Sequence, residues 1–283
     1  MAQITGGELL VRCLHAEGVR YVHAITDGTY MMVLEALERL GKKFGIELIV
    51  PRHEAAAAHA CDAYTRCAGK PAVVMACAGP GAANLIAGLM CAEAEGSPVI
   101  AITTTRRSAI SDSYVHQGGM QVSRHLDIFK PAVKWNGKVD HWDRIPDMVR
   151  HAFRVATSGR PGPVHILIPE DILNARDEEA GVQIWKPEKY RLTESRPGDR
   201  AALEQAADLL VAADFVNIHC GNGAERSGAA KEVQNLAEYL SAAVTNTIRA
   251  RGIVSDEHEL VFHPTCLSRI MANSQADVVL AVG

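Results

Sequence analysis

The stretch from Arg52 to Leu85, RHEAAAAHACDAYTRCAGKPAVVMACAGPGAANL, constrains this chain more than any other. It predicts an alanine-rich helix, a tight Gly69-Lys70-Pro71 turn, a buried strand, and a Gly79-Pro80-Gly81 turn that opens another helix. Ala55, Ala56, Ala57, Ala58, Ala60 and Ala63 leave almost no side-chain volume, so another helix or a flat ligand can come close to the backbone. Glu54 stands at the head of this helix, just after the strand-like run Ile46 to Val50. On local features alone it is an acid in the first helical turn, facing unsatisfied N–H groups. Open α/β sheets, however, place their ligands at the carboxyl ends of strands. A carboxylate walled by alanines is also poorly hydrated, which favours the protonated acid and makes Glu54 a proton-handling candidate.

The rest of the chain repeats the same alternation. Thr5 and Glu8 form a capping box ahead of the stripe Leu9, Leu10, Cys13 and Leu14. Gly18 stops that helix, and Tyr21 to Ile25 is a short strand before a Thr26-Asp27-Gly28-Thr29 turn and a helix from Tyr30 to Leu40. Further strands are predicted at Ala72–Cys77, Val99–Thr103 and Val164–Ile168, with helices at Ala82–Glu93 and Trp142–Thr157. Residues 104–121 have no period and read as an irregular segment, of the kind that is more often functional than not. The pattern is that of α/β architecture: two doubly wound parallel-sheet domains, the second incomplete. The first domain is expected over 1–175, a charged Pro-containing linker over 176–198, and part of a second domain over 199–283. In the second, Ala202, Leu203, Ala206, Leu209 and Leu210 stripe a helix, and about three strands follow (Phe215–His219, Ala243–Asn246 and Ala276–Val282). Three strands make an unfinished sheet, so the chain is expected to be a piece of something longer.

Composition removes several function classes. The formal charge is only -4 over 283 residues, with no basic tract, which argues against a nucleic-acid partner. No apolar run approaches the roughly 20 residues needed to cross a bilayer, and Met1 to Thr5 does not open like a signal peptide. The seven cysteines form no CxxC pair and fall mostly in apolar segments, which predicts reduced, buried thiols in a cytoplasmic protein. His53 and Glu54 suggest a zinc helix, but the next histidine is His59, on a different helix face, where Ala57 holds the required position. No metal ligand set is expected.

Taken in order, these pieces resemble the thiamine diphosphate-dependent enzymes of the acetolactate synthase type. The resemblance is carried by GVRYVHAITDG (18–28), RHEAAAAHACDAYTR (52–66), GKPAVVMACAGPGAANL (69–85), GSPVIAIT (96–103), His116-Gln117, Lys134-Trp135 and GRPGPVHILIPEDI (159–172). The second half, with GNGAERSGAAKEVQNLAEYL and ADVVLAVG, is similar to that family's central domain. The resemblance implies that Glu54 hydrogen-bonds the aminopyrimidine ring of thiamine diphosphate and shares a proton with it, preparing the thiazolium carbon to attack a 2-keto acid. It implies that Gly28 lies where the first strand–helix turn approaches the cofactor. Gly79, Pro80, Gly81 and Asn84 would form the wall beside the pyrimidine. Gln117 would point at substrate-derived groups, and His116 stands where many acetolactate synthases have Phe, in a loop where decarboxylating relatives use histidines; both are catalytic candidates beside Glu54. Each also has a plainer reading: Gly28 as a turn glycine, Gly79-Pro80-Gly81 as a helix opening, His116 as a solvated loop residue.

Several positions depart from the family pattern. Thr26-Asp27 replaces an apolar-Pro pair, which puts the substrate in doubt more than the cofactor. Gly221-x-Gly223 with Arg226 breaks the dinucleotide fingerprint, so FAD, bound by some relatives in this region, is disfavoured. The Gly-Asp-Gly motif and downstream Asn with which the family holds Mg2+ and the diphosphate are missing. That diphosphate-binding domain is therefore expected elsewhere, fused or on a second polypeptide. The resemblance further implies a homodimer or homotetramer that acts on a small 2-keto acid as lyase or carboligase. A decarboxylase or acyltransferase of the same family, and a non-catalytic subunit keeping the fold, are the alternatives.

Overall fold

The computed structural model describes residues 3–111, 121–192, 197–262 and 267–283. Contacts divide the chain into two units, Met1–Glu194 and Ser195–Gly283. The first opens with β1 (Gln3–Thr5), α1 (Gly6–Ala16), β2 (Tyr21–Ala24), α2 (Met31–Phe44), β3 (Glu47–Ile49) and α3 (Glu54–Ala68). It continues through β4 (Ala72–Ala76), α4 (Pro80–Asn84), α5 (Ile86–Glu95), β5 (Val99–Thr105), α6 (Ser108–Ser111) and α7 (His125–Phe129). The last elements are β6 (Trp135–Lys138), α8 (Ile145–Thr157), β7 (Val164–Pro169) and β8 (Arg176–Glu178). Six strands form one parallel sheet in the order β3-β2-β4-β5-β7-β6. Its α/β, doubly wound character is as the alternation predicts. β6 lies in a stretch to which no strand was assigned, because WNGK has neither alternation nor β-branched residues.

The two faces of this sheet differ in volume, and that difference places the site. Val73, Met75, Ile100, Ile102, Val164, Ile166 and Ile168 point to one side, into a core of large side chains shared with α1, α2 and α8. Ala72, Val74, Ala76, Val99 and Ala101 point to the other, where Ala57, Ala58 and Cys61 of α3 meet Leu85, Leu89 and Ala92. Small residues on both partners let α3 lie close to the sheet. α5 then approaches α3 just as closely: a Cβ built on Gly88 would stand 2.4 Å from the Ala58 Cβ. Ala56, Ala60 and Ala63, on the far side of α3, are exposed.

A polar layer runs through the small-residue face. Thr103 Oγ1 lies 2.7 Å from His165 Nε2 and 3.2 Å from His125 Nδ1, and the His165 ring stacks on Phe129 at 3.8 Å. All of these side chains are buried. Burial pushes the His125 imidazolium down to about 4 and that of His165 well below its ordinary value, with the neighbouring His125 adding to the latter.

Three expectations need correction. The segment expected as a linker from 176 is docked on the first unit as far as residue 192. β8 pairs antiparallel with β1, Val182 and Ile184 pack on the large core, and Arg191 meets Glu17 at 3.0 Å. Its few apolar residues have no period because the segment is irregular, so the docking has no local signature. The capping box is half formed: Thr5 Oγ1 accepts from the Glu8 N–H at 3.1 Å, but the Glu8 carboxylate turns to Arg12 at 2.6 Å and to Arg39. The thiols are not all buried, since Cys67 and Cys91 are exposed while Cys13, Cys61 and Cys220 are buried.

In the second unit, β9 (Val216–Cys220), β10 (Ala243–Asn246), β11 (Val261–Phe262) and β12 (Val278–Val282) form a parallel sheet in the order β11-β10-β9-β12. Of the apolar stripe on its first helix, Arg200–Ala212, Leu210 is buried, whereas Leu203 and Leu209 are exposed. Among the described residues no helix is long and apolar enough to cross a membrane.

Gly88→Ala is expected to cost about 1–3 kcal/mol by forcing α3 and α5 apart, read as a lower urea midpoint. The buried imidazoles make a second prediction. An unfolded imidazole takes up its proton near pH 6.5, whereas His125 in the fold does so only near 4. The unfolded chain therefore binds more protons between these values, and stability, full above about pH 6.5, is lost as pH falls. For His125 the loss between pH 7 and 5 is about 2 kcal/mol, with His165 adding to it in the same direction. Urea unfolding at pH 7, 6 and 5 checks this.

Candidate active site

Three turns meet at the carboxyl edge of the first sheet. From β2 the chain crosses to β3 on one side and returns to β4 on the other, so the β2–β4 boundary is the switch point at which such sheets bind ligands. Glu54 begins α3, after β3. His53 caps this helix, its Nδ1 accepting from the Ala55 N–H at 3.1 Å, which leaves the Glu54 carboxylate free of capping duty. Glu54 is 9% exposed, and its Oε2 accepts from Asn84 Nδ2 at 3.0 Å. Among the described residues no donor reaches Oε1.

The turn after β4 supplies the facing wall. Gly79 adopts φ 65° and ψ -120°, a conformation open only to glycine, and Pro80 follows at the first helical position of α4. At Gly81 a Cβ would stand 2.4 Å from Cys77 Sγ and 3.1 Å from Glu54 Oε1. A side chain there would displace the carboxylate. α4 then carries Asn84 back to Glu54.

The turn after β2 is built by Asp27. Its Oδ1 accepts from the Thr29 N–H at 2.8 Å and the Thr29 hydroxyl at 2.6 Å, and Thr29 Oγ1 lies 2.5 Å from Thr104 Oγ1 at the end of β5. Tyr30 is fully buried, its hydroxyl donating to the Ile25 carbonyl. Burial raises the Tyr30 phenol, and Cys77, Asp27 and Glu54 raise it further. The Cys77 thiol is raised first by burial and then by Asp27 and Glu54. These four groups therefore share one electrostatic neighbourhood. Gly28 lies in the same turn with nothing within 4 Å of a would-be Cβ and no left-handed φ. The chain itself does not require glycine there.

The structure thus brings together Glu54, Gly79, Pro80, Gly81 and Asn84, with Gly28 on the adjoining turn. His116 and Gln117 lie in 112–120, outside the described residues. Sequence reasoning missed Cys77, Tyr30 and His125. Cys77 follows a buried strand and Tyr30 opens a helix, so each reads as core. His125 Nε2 accepts from the Gly79 N–H at 3.1 Å, a contact across 46 positions that no local pattern reveals.

Other motif residues serve the scaffold. Lys134 Nζ donates to the carbonyls of Val155, Ser158 and Arg160 at 2.7, 3.0 and 2.8 Å, closing the end of α8. Arg160 donates to the Glu93 and Ala94 carbonyls at 2.8 and 2.9 Å, at the end of α5. In the second unit, a Cβ on Gly221 would lie 2.0 Å from the Gly283 carbonyl oxygen, and one on Gly223 would lie 2.9 Å from the Gly283 Cα. Close packing of the turn after β9 against the end of β12 accounts for both glycines.

Comparison with known proteins agrees with this geometry. Residues 4–127 match the thiamine pyrophosphate enzyme N-terminal TPP-binding domain, and residues 203–283 match the thiamine pyrophosphate enzyme central domain. The chain is 32% identical to a probable acetolactate synthase large subunit of Methanocaldococcus jannaschii, over 98% of this chain and 46% of that protein. It is 33% identical to an acetolactate synthase of Arthrospira platensis, over 99% of this chain and 49% of that protein. It is 30% identical to the acetolactate synthase isozyme 3 large subunit of Escherichia coli, over 100% of this chain and 49% of that protein. The chain spans about half the length of the curated relatives it matches. With its N-terminal and central domains both matched and Glu54 at the switch point of the first sheet, the chain belongs to the thiamine pyrophosphate enzyme family and is similar to acetolactate synthase large subunits.

Proposed function

We propose that this chain contributes the pyrimidine-facing half of a thiamine diphosphate site in an enzyme that acts on a 2-keto acid, as lyase or carboligase of the acetolactate synthase type. The observation that carries this reading is Glu54. It is a nearly buried carboxylate at a sheet switch point, with Oε2 held by Asn84 and Oε1 uncommitted among the described residues. The site suits a flat nitrogen heterocycle. Gly28 leaves space on one side, and Gly81 keeps a side chain off the carboxylate on the other. Bound there, thiamine diphosphate supplies the carbon nucleophile that adds to a 2-keto acid and the electron sink for loss of carbon dioxide. Glu54 would hold or give a proton at Oε1 toward that group, and Asn84 orients the carboxylate by holding Oε2. Gly79 and Pro80 set the turn on which both contacts depend.

Residues 1–175, with the docked 176–192 segment, would form the pyrimidine domain and 199–283 part of the central domain. Mg2+ and the diphosphate would be held by a further domain, fused or separate. The proposed assembly is a cytoplasmic homodimer or homotetramer, because the two halves of such a site face each other between subunits. FAD in the second unit remains a weaker reading, since packing explains Gly221 and Gly223. One observation favours a ligand there: the Asn246 side chain, at the carboxyl end of β10, is fully buried with neither amide atom paired among the described residues.

The test uses the full-length polypeptide with thiamine diphosphate, Mg2+ and pyruvate. Glu54→Gln is expected to lower kcat by about 10²–10⁴-fold while the fold is kept. Undiminished turnover in that variant defeats the reading.

A further inference from the structure

We propose that His125 is a positioning residue for the Glu54 site, holding the Gly79 N–H so that the turn presents Gly81 and Asn84 to the carboxylate. This inference rests on the reading of Glu54 given above. It begins with the direction of the hydrogen bonds. A backbone N–H can only donate, so the bond from Gly79 at 3.1 Å requires a bare Nε2 on His125. The proton of the neutral ring is then on Nδ1, 3.2 Å from Thr103 Oγ1, which accepts it. The Thr103 hydroxyl proton in turn has His165 Nε2 as its acceptor at 2.7 Å. His165 carries its own proton on Nδ1, a buried atom with no partner among the described residues. The hydrogen bonds thus form a line that runs in one sense, from the turn to the sheet core: the Gly79 N–H fixes the His125 tautomer, which through the Thr103 hydroxyl fixes that of His165.

This line controls the site because of what Gly79 carries. Its backbone lies in a glycine-only region and must be held there from outside. The segment containing His125 holds it in two ways. Gln121 Cα stands 2.9 Å from where a Gly79 Cβ would be, and the His125 ring accepts the Gly79 N–H. Two residues on, Gly81 lies against Glu54 Oε1; three residues beyond that, Asn84 donates to Oε2. A shift of the turn therefore moves both groups that set the carboxylate. A charged imidazolium could not accept from Gly79, and burial keeps the ring neutral at the pH at which proteins work. His125 does not touch Glu54, so its effect passes entirely through the turn.

The experiment compares His125→Gln, His125→Phe and Thr103→Val in the full-length protein. Gln retains an acceptor near the position of Nε2, whereas Phe fills the space without one. Hydrogen exchange at the Gly79 amide, measured without cofactor, is expected to quicken by about tenfold in His125→Phe, by less in Thr103→Val, and little in His125→Gln. In the presence of thiamine diphosphate and Mg2+, His125→Phe is expected to lose about 10–100-fold in kcat and to need more cofactor for half-saturation, with His125→Gln restoring most of both. Unaltered Gly79 exchange in both His125→Phe and Thr103→Val overturns the proposal. So do equal losses of kcat in the Gln and Phe variants. If His125→Phe does not fold, the contrast in exchange between His125→Gln and Thr103→Val decides alone. The amide readout needs no cofactor, so it separates failure of this proposal from failure of the cofactor assignment, which Glu54→Gln tests.

Discussion

The close approach of α3 to the sheet is the constraint on which the rest of the first unit depends. Alanines and a cysteine on the helix face alanines and valines on the strands, so the start of the helix, with Glu54, is drawn down to the carboxyl edge of the sheet. A larger residue at Ala57 or Ala58 would lift the helix and carry the carboxylate outward into water. The opposite face of the same strands has no such restriction and is filled by Ile, Val, Leu and Phe. Division of labour between the faces explains how a sheet can be stable and yet leave an acid nearly dehydrated at its edge. Large side chains on one side supply most of the burial, at about 25 cal/mol per Å², and small ones on the other set the geometry.

Much of this architecture was legible in the chain. Five of the six strands in the main sheet have β-branched or apolar runs bounded by turn residues, and α3 declares itself by composition. Glu54 stood out because it follows a strand, and strand ends are where ligands bind; Gly79, Gly81 and Asn84 joined it through the family resemblance, which implies a wall beside the pyrimidine. What was not legible depends on distance along the chain. β6 has four half-buried residues with no period, and only its place beside β7 makes it a strand. The 176–192 segment looked like a linker because charge and proline dominate it. It is held instead by the β8–β1 pairing, by Val182 and Ile184 on the core, and by contacts such as Arg191 on Glu17 and Arg150 on the Gln183 carbonyl at 2.9 Å. His125, Thr103 and His165 are buried polar groups whose partners are each other, and a polar residue in an apolar run gives no hint of which partner satisfies it.

Motif residues also separate into two kinds once their contacts are known. Lys134 and Arg160 donate to backbone carbonyls at the ends of α8 and α5. A cation in that place satisfies carbonyls that the helix itself cannot pair, and it complements the helix dipole. They are part of the scaffold, although in the chain they are as prominent as Glu54. Gly28 is the reverse case. Its backbone is ordinary and its surroundings are empty, so the fold does not demand glycine there.

Asp27 illustrates how a departure from the family pattern can be absorbed. Where the family pattern implies an apolar residue and proline, Thr26-Asp27 fixes the turn with a side-chain cap, the carboxylate holding the Thr29 amide and hydroxyl. The substitution is not electrically neutral, however. It puts a second acid into the neighbourhood of Cys77, Tyr30 and Glu54, where burial already disfavours charge. A substrate approaching over Gly28 would therefore meet a more negative edge than proline provides. For a 2-keto acid, whose own carboxylate is negative, that repulsion bears on which end of the molecule faces the turn. The Asn84–Glu54 contact on which the proposed cofactor site rests does not change. On the proposed function, differences among relatives that share the Glu54 stretch should accordingly be sought in the turn after β2 rather than in the turn after β4.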